Sequence, residues 1–278
     1  MSTTPTELAA YRTSLRQRRE LEGRVALVTG GTRGIGAAIC RALAADGAAI
    51  AAGYSRDHDA ARAFAASLAE HEVQTSIHQG NVGSSEDCRR TVSEVIERHG
   101  RLDILVNNAG ILIDRAVLEM GDEDWYKVLA VNLSGAFFMA QAALPHMVGR
   151  GSGRIVNISS LAAERGNVGQ VNYSASKSGL FGMTRSLARE AAVLLGKAGN
   201  LDDEHCVGLT VNTVSPGLVS TEMIAGVPER VMEKLKAEIP VRRLGRPEEI
   251  ARVVHFLCAD ASAYITGQVW SVNGGMEM

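Results

Sequence analysis

Arg24-Val25-Ala26-Leu27-Val28-Thr29-Gly30-Gly31-Thr32-Arg33-Gly34-Ile35-Gly36 is the stretch on which the fold turns. Its first six residues are a short, mostly apolar run, which predicts a buried strand. A glycine cluster follows without a spacer, and residues 37–46 then read as a helix closed by Gly47. Strand, glycine turn and helix in direct succession let backbone N–H groups and a helix N-terminus cradle a pyrophosphate. The spacing is Gly30-x-x-x-Gly34-x-Gly36 rather than the more common G-x-G-x-x-G, and an ordinary glycine-rich turn is the alternative reading.

Outward from this stretch, strands and helices alternate. Residues 48–53 and 73–79 read as the second and third strands. Ser84 caps a helix over 86–99 that Gly100 stops. Residues 102–106 form a fourth strand running into Asn107-Asn108-Ala109-Gly110, whose small residues let a ligand approach the backbone. A long helical tract covers 122–147, a fifth strand 154–160, and a helix that runs to about 195 carries Tyr173 and Lys177. Residues 209–215 form a sixth strand followed by Pro216-Gly217. Helices over 228–238 and 247–259, each with Pro near its start, precede a last strand at 268–272. This alternation predicts a single-domain α/β fold of Rossmann type: a doubly wound parallel sheet of about seven strands with helices on both faces. Residues 23–278 form that domain and residues 1–22 a polar extension, in which Leu8, Tyr11 and Leu15 share one helical face.

Composition narrows the function. The chain has 278 residues, 46% apolar and 22% charged, with a net charge of −2, so no strong attraction to nucleic acid or anionic membrane is expected. No apolar run in the sequence approaches the ~20 residues of a membrane span, and the first 22 residues lack the apolar core of a secretory signal. Cys40, Cys88, Cys206 and Cys258 form no C-x-x-C pair, which suits free thiols in the reducing cytoplasm. Asp202, Asp203, Glu204 and His205 lie in an unusually long link before the sixth strand. Four adjacent polar residues rarely converge on one ion, so no metal site is expected there.

The chemistry is carried by Asn172-Tyr173-Ser174-Ala175-Ser176-Lys177. Tyr173 and Lys177, four apart, share a face of their helix. An ammonium beside a phenol favours the phenolate, so the spacing predicts a tyrosine that gives up its proton more readily than usual. Such a group can protonate a carbonyl oxygen as hydride reaches its carbon. A solvated surface pair is the alternative. Asn132 lies inside an apolar stretch and must be hydrogen-bonded if buried. At the end of the second strand, where an acidic residue would bind the ribose 2′-hydroxyl of NAD, the chain has Gly53-Tyr54-Ser55-Arg56. Arg56, with Arg33 in the glycine turn, suits the 2′-phosphate of NADPH.

Taken together, Thr29-Gly30-x-x-x-Gly34-x-Gly36, Asn107 to Gly110, Asn132, Ser160, Tyr173-x-x-x-Lys177 and Pro216-Gly217 resemble the classical short-chain dehydrogenase/reductase family over residues 24–278. The resemblance implies that Tyr173 is the general acid and that Lys177 lowers its pKa and holds the nicotinamide ribose. It implies that Ser160 hydrogen-bonds the substrate carbonyl. Asn132 would hold a water that links Lys177 to solvent, with a packing or helix-bend role compatible. NADPH/NADP+ would lie on Gly30, Thr32, Arg33, Gly34, Ile35 and Gly36, with Arg56 at its 2′-phosphate. Asn81 and Val82 would flank adenine. Asn108, Ala109, Gly110, Tyr173 and Lys177 would continue the groove, and Pro216, Gly217, Val219 and Thr221 would line the nicotinamide side. Ser160, Val168, Gln170, Tyr173, Leu218 and Met223 would meet the substrate. Within the family the chain is most similar to 3-oxoacyl thioester reductases, through 155–160, Gly169-Gln170-x-Asn172-Tyr173, 212–217, 239–250 and Asn273-Gly274-Gly275.

That similarity implies NADPH-dependent reduction of a 3-oxoacyl thioester, carried on coenzyme A or on acyl carrier protein. Asn167-Val168 and Leu218 stand where acetoacetyl-CoA reductases tend to have Gln-Phe and an aromatic, which leans toward a carrier-protein or broader acyl substrate. Reduction of another ketone (a steroid, polyol or xenobiotic carbonyl) is the alternative within the class, and a non-catalytic NADP(H) sensor the alternative outside it. A flap over 220–243, apolar at Met223, Ile224 and Val227, would cover the substrate. The resemblance also implies a homotetramer with the segment from 265 onward at an interface.

Overall fold

The computed structural model describes residues 19–201, 207–224 and 226–278. Leu8, Tyr11, Leu15, the run 202–205, Cys206 and the side chain of Met223 lie outside the described residues.

The first strand, β1 (Val25–Val28), is buried throughout. Its side chains alternate between two cores: Ala26 and Val28 enter one, Val25 and Leu27 the other, as the twofold repeat of a strand requires. There follow α1 (Gly34–Ala45), β2 (Ala49–Tyr54), α2 (His58–Ser67), β3 (Thr75–Gln79), α3 (Ser85–His99) and β4 (Ile104–Asn107). After them come α4 (Asp122–Leu129), α5 (Gly135–Gly149), β5 (Gly153–Ile158), α6 (Val171–Lys197), β6 (Leu209–Pro216), α7 (Glu229–Glu238), α8 (Pro247–Cys258) and β7 (Val269–Val272). The seven strands lie in the order β3-β2-β1-β4-β5-β6-β7, and each neighbouring pair is parallel.

Parallel pairing forces crossover connections, which cover both faces of the sheet. One core packs α1, α8 and Phe64 of α2 on the sheet; the other packs α3, α5 and α6. Leu21 is fully buried in the first of these cores. The winding reverses between β1 and β4, the point at which a doubly wound sheet takes its ligand in a crevice at the carboxyl edge. Local signals placed the elements. The Ser84 hydroxyl accepts the Asp87 N–H at 3.3 Å, and Gly100 ends α3 in a left-handed conformation. Cys40, Cys88 and Cys258 are free thiols buried in helices.

Two elements differ from the sequence reading. The helix expected from residue 37 begins at Gly34, so its first turn lies inside the glycine cluster. The expected 122–147 helix is instead two α-helices joined by a π turn, Ala130–Ser134, which carries Asn132. The joined tract Asp122–Gly149 is long and apolar enough to cross a membrane by length and composition, a length that the sequence reading had not found in any one run. Here Met139, Ala140, Ala143 and Met147 pack in the second core.

Candidate active site

The carboxyl edge of the sheet is shaped first by Thr29. Its Oγ1 accepts the N–H groups of Asn108 and Ala109, each at 3.0 Å. The Asn108 amide returns two bonds, to Thr29 O at 2.9 Å and Gly30 O at 3.1 Å. The loops after β1 and β4 are thereby locked together. Gly36 is the third member of this contact: a Cβ there would stand 2.2 Å from Gly30 O and 2.6 Å from Asn108 Nδ2. At the start of α1 no side chain caps the helix and no acidic residue occupies the first turn. Its N–H groups and the positive end of its dipole are open to an anion. The Gly30–Gly36 turn therefore fits the diphosphate of a dinucleotide, with Thr32 and Ile35 in the same turn.

Farther along the edge, Arg56 is exposed after β2 and makes no hydrogen bond or ion pair among the described residues. Arg33 stands at the N-cap of α1, and its Nη1 lies 3.3 Å from Glu222 Oε2. Asn81 follows β3, where its Oδ1 accepts the Gly83 N–H at 3.0 Å and its backbone N–H donates to Asp87 at 2.8 Å. Its side-chain oxygen thus shapes the turn that presents Val82. On the opposite side of the crevice, the Gly217 N–H donates to Val272 O at 3.0 Å. Val219 bridges to Gly245, and a Cβ on Gly34 would stand 3.7 Å from the Thr221 methyl. Thr221 and Glu222 thus lie at the mouth of the glycine turn.

Tyr173, Lys177, Ser160 and Asn132 converge between β4, β5 and α6. The two serines that follow β5, where the sequence reading had extended the strand to 160, separate cleanly. Ser159 is buried and its hydroxyl donates to Lys177 O at 2.9 Å. Ser160 faces the Tyr173 phenol closely enough to pull its pKa down, and its Oγ accepts the Ala162 N–H at 3.2 Å. Lys177 is 3% exposed. Its Nζ donates to Ile158 O at 2.7 Å and lies 5.9 Å from the centroid of the Tyr173 ring. Burial lowers its pKa to about 8, so it is still mostly charged at neutral pH.

The Tyr173 phenol departs from the sequence reading in direction. Its pKa is raised, chiefly by desolvation, with Asp114 adding to the rise and the Ser160 hydroxyl opposing it. The helical spacing put an ammonium near the ring but could not register how much protein lies over the hydroxyl. Asn132 also shows its packing role directly. It is 2% exposed; its Oδ1 accepts the Ile111 N–H at 2.8 Å, and its Nδ2 donates to Ile111 O at 3.0 Å and Ser176 Oγ at 3.1 Å. The π turn bulges this amide toward the loop after β4. A Cβ on Gly110 would meet both Asn132 Oδ1 at 3.3 Å and Lys177 Nζ at 3.4 Å.

Sequence reasoning missed Asn172 as a site-building residue. Fully buried, it donates to Ile113 O at 3.1 Å and Asp124 O at 3.3 Å and accepts the Tyr173 N–H at 2.7 Å. The two asparagines thus clamp residues 111–113 beside the phenol. The available signal was a polar residue at a helix start directly before Tyr173. Of the residues expected at the substrate, Gln170 is the N-cap of α6, Leu218 is half-buried, and Val168 is 96% exposed.

A sheet edge that offers a phosphate cradle and, beyond it, a phenol and an ammonium one helical turn apart belongs to oxidoreductases that pass hydride to or from a nicotinamide. Comparison with known proteins narrows this class. The family model described as enoyl-(acyl carrier protein) reductase matches residues 30–277. An acetoacetyl-CoA reductase of Rhizobium meliloti is 46% identical over 91% of this chain and 98% of its own. The Aquifex aeolicus protein named 3-oxoacyl-[acyl-carrier-protein] reductase FabG is 44% identical over 92% of this chain and 98% of its own. A crystal structure from Sinorhizobium meliloti that carries the name short-chain alcohol dehydrogenase superposes with a TM-score of 0.84 at 37% identity, covering 93% of this chain and 98% of that one. The chain belongs to the short-chain dehydrogenase/reductase family, and it is an oxidoreductase acting on the C=O/CH–OH couple with a nicotinamide cofactor.

Proposed function

We propose that this protein reduces a 3-oxoacyl thioester to the 3-hydroxyacyl thioester with NADPH. The observation that carries the chemistry is the convergence of Ser160, the Tyr173 phenol and the buried Lys177, whose Nζ lies 5.9 Å from the phenol ring centroid. The substrate class is supported by relatives named for acetoacetyl-CoA and for 3-oxoacyl carrier protein, at 46% and 44% identity, values too close to separate the two carriers.

When bound, the dinucleotide supplies the hydride that goes to the 3-oxo carbon. Ser160 and Tyr173 hold the carbonyl oxygen, and Tyr173 gives it the phenolic proton as the C–O bond becomes single. An alkoxide is far more basic than any phenol, so a raised phenol pKa still favours this transfer. Lys177 then offsets the charge left on the phenolate. Asn132 and Asn172 keep the 111–113 wall in place, with the second acceptor site of Asn132 Oδ1 available to a water beside Lys177. Ile224 and Val227, half-buried in the flap, suit an acyl chain better than a sugar.

Exposed Tyr126 and Phe137 on α4 and α5, Val193 and Leu194 on α6, and Phe256 and Tyr264 near the C-terminus support the homotetramer that the resemblance implies.

The test is a steady-state comparison of acetoacetyl-CoA, a longer 3-oxoacyl carrier protein and crotonyl-CoA, each with NADPH and with NADH. Oxidation of NADPH by the 3-oxo thioesters is expected. Turnover of crotonyl-CoA alone would mean double-bond reduction, as the family model is described. Binding of NADPH with no thioester turned over would return the reading to another ketone or to a sensor. Arg56→Ala is expected to weaken NADPH binding about tenfold, the loss of a charge-assisted contact, and NADH binding hardly at all. Equal weakening of both, by fluorescence titration, would remove Arg56 from the 2′-phosphate.

A further inference from the structure

The contact between Arg33 and Glu222 joins two parts of the chain that are 189 residues apart. Arg33 belongs to the glycine turn. Glu222 opens the single helical turn Glu222–Ile224 at the start of the flap. Thr221, its neighbour, lies against Gly34, so the carboxylate is held at the mouth of the anion cradle and not in open solvent far from it. Both side chains remain largely exposed, 76% for Arg33 and 71% for Glu222. An exposed pair of this kind is weak and can exchange partners.

A phosphate monoester at the ribose 2′ position is the natural competitor for that guanidinium. We propose that Glu222 is a cofactor-specificity residue: its carboxylate competes with the 2′-phosphate for Arg33 and so moderates the preference for NADPH over NADH. This inference rests on the NADPH reading given above. Arg56, without a partner among the described residues, supplies the uncontested charge at the same end of the groove; Arg33 supplies the contested one. A cofactor without the 2′-phosphate has nothing to compete for and gains little from removing Glu222.

The experiment uses the full chain and the probes 2′,5′-ADP and 5′-ADP, with NADPH and NADH alongside, measured by titration calorimetry and fluorescence. Glu222→Gln is expected to tighten 2′,5′-ADP and NADPH about threefold, the size of one exposed charge pair, and to leave 5′-ADP and NADH unchanged. In an Arg33→Ala background the same substitution should have no effect on any of the four. Equal tightening of all four would place the carboxylate's influence on the shared diphosphate and overturn the proposal. An unchanged 2′,5′-ADP affinity, or a gain that survives in Arg33→Ala, would overturn it as well. If the unmodified protein binds 2′,5′-ADP no better than 5′-ADP, the NADPH reading itself fails, an outcome separate from the others.

Discussion

Tyr173→Phe is expected to lower the reductive turnover about 1,000-fold while changing the dissociation constant for the cofactor less than twofold. The figure is that of removing a positioned general acid. The substitution leaves the ring, its packing and its 5.9 Å separation from Lys177 Nζ in place, and deletes the hydroxyl that Ser160 faces. Single-turnover rates and fluorescence titration separate the two effects; a variant retaining a tenth of the rate would mean that another group delivers the proton. The unaltered enzyme has a characteristic pH response. The raised phenol stays protonated through neutrality, whereas Lys177, held near 8 by burial, discharges as pH rises through that value. The reductive rate should therefore decline on the alkaline side of about pH 8.

Gly36→Ala is the second substitution with a large consequence. The added methyl would meet backbone Gly30 O at 2.2 Å and Asn108 Nδ2 at 2.6 Å. Neither can step aside: Gly30 O accepts from Asn108, and Asn108 is fixed by Thr29. Overpacking of this kind costs about 3 kcal/mol, a fall in Tm of roughly 6–12 °C for a domain of this size. Because the displaced atoms build the phosphate cradle, cofactor affinity should drop about 100-fold or more. Gly182→Ala on α6 is the matched control. Its Cβ meets nothing within 4 Å, and alanine in a helix interior should be neutral or mildly stabilising. Calorimetric melting and cofactor titration of both variants check the contrast; an unaffected Gly36→Ala would mean that the turn is open in solution.

The fold was legible because each βα unit carries its own punctuation. Val25–Val28 runs straight into the glycines, Ser84 and Gly100 bracket α3, and Pro247 opens α8. The start of α1 at Gly34 was hidden because glycine is a poor helix former; the left-handed φ of Gly34 and the close contact of Gly36 with Gly30 explain its use there. Spacing pointed to the Tyr173 and Lys177 pair, and the family resemblance added Ser160. Its neighbour Ser159 is committed to the Lys177 carbonyl. Two features could not be read. Asn172 acts through backbone groups at 113 and 124 that are distant in the chain. The upward shift of the phenol depends on packing depth, which no local pattern encodes.

The π turn at Ala130–Ser134 bears on how such a chain can be lengthened or shortened. A π turn amounts to one surplus residue in an α-helix. Deleting a single residue there would restore regular winding and leave the turns downstream nearly in phase, because the surplus residue is absorbed within the turn itself. Met139, Ala143 and Met147 would keep their places in the core, while Asn132 would lose Ile111 and Ser176. Deletion at this point would thus spare folding and strike the chemistry alone.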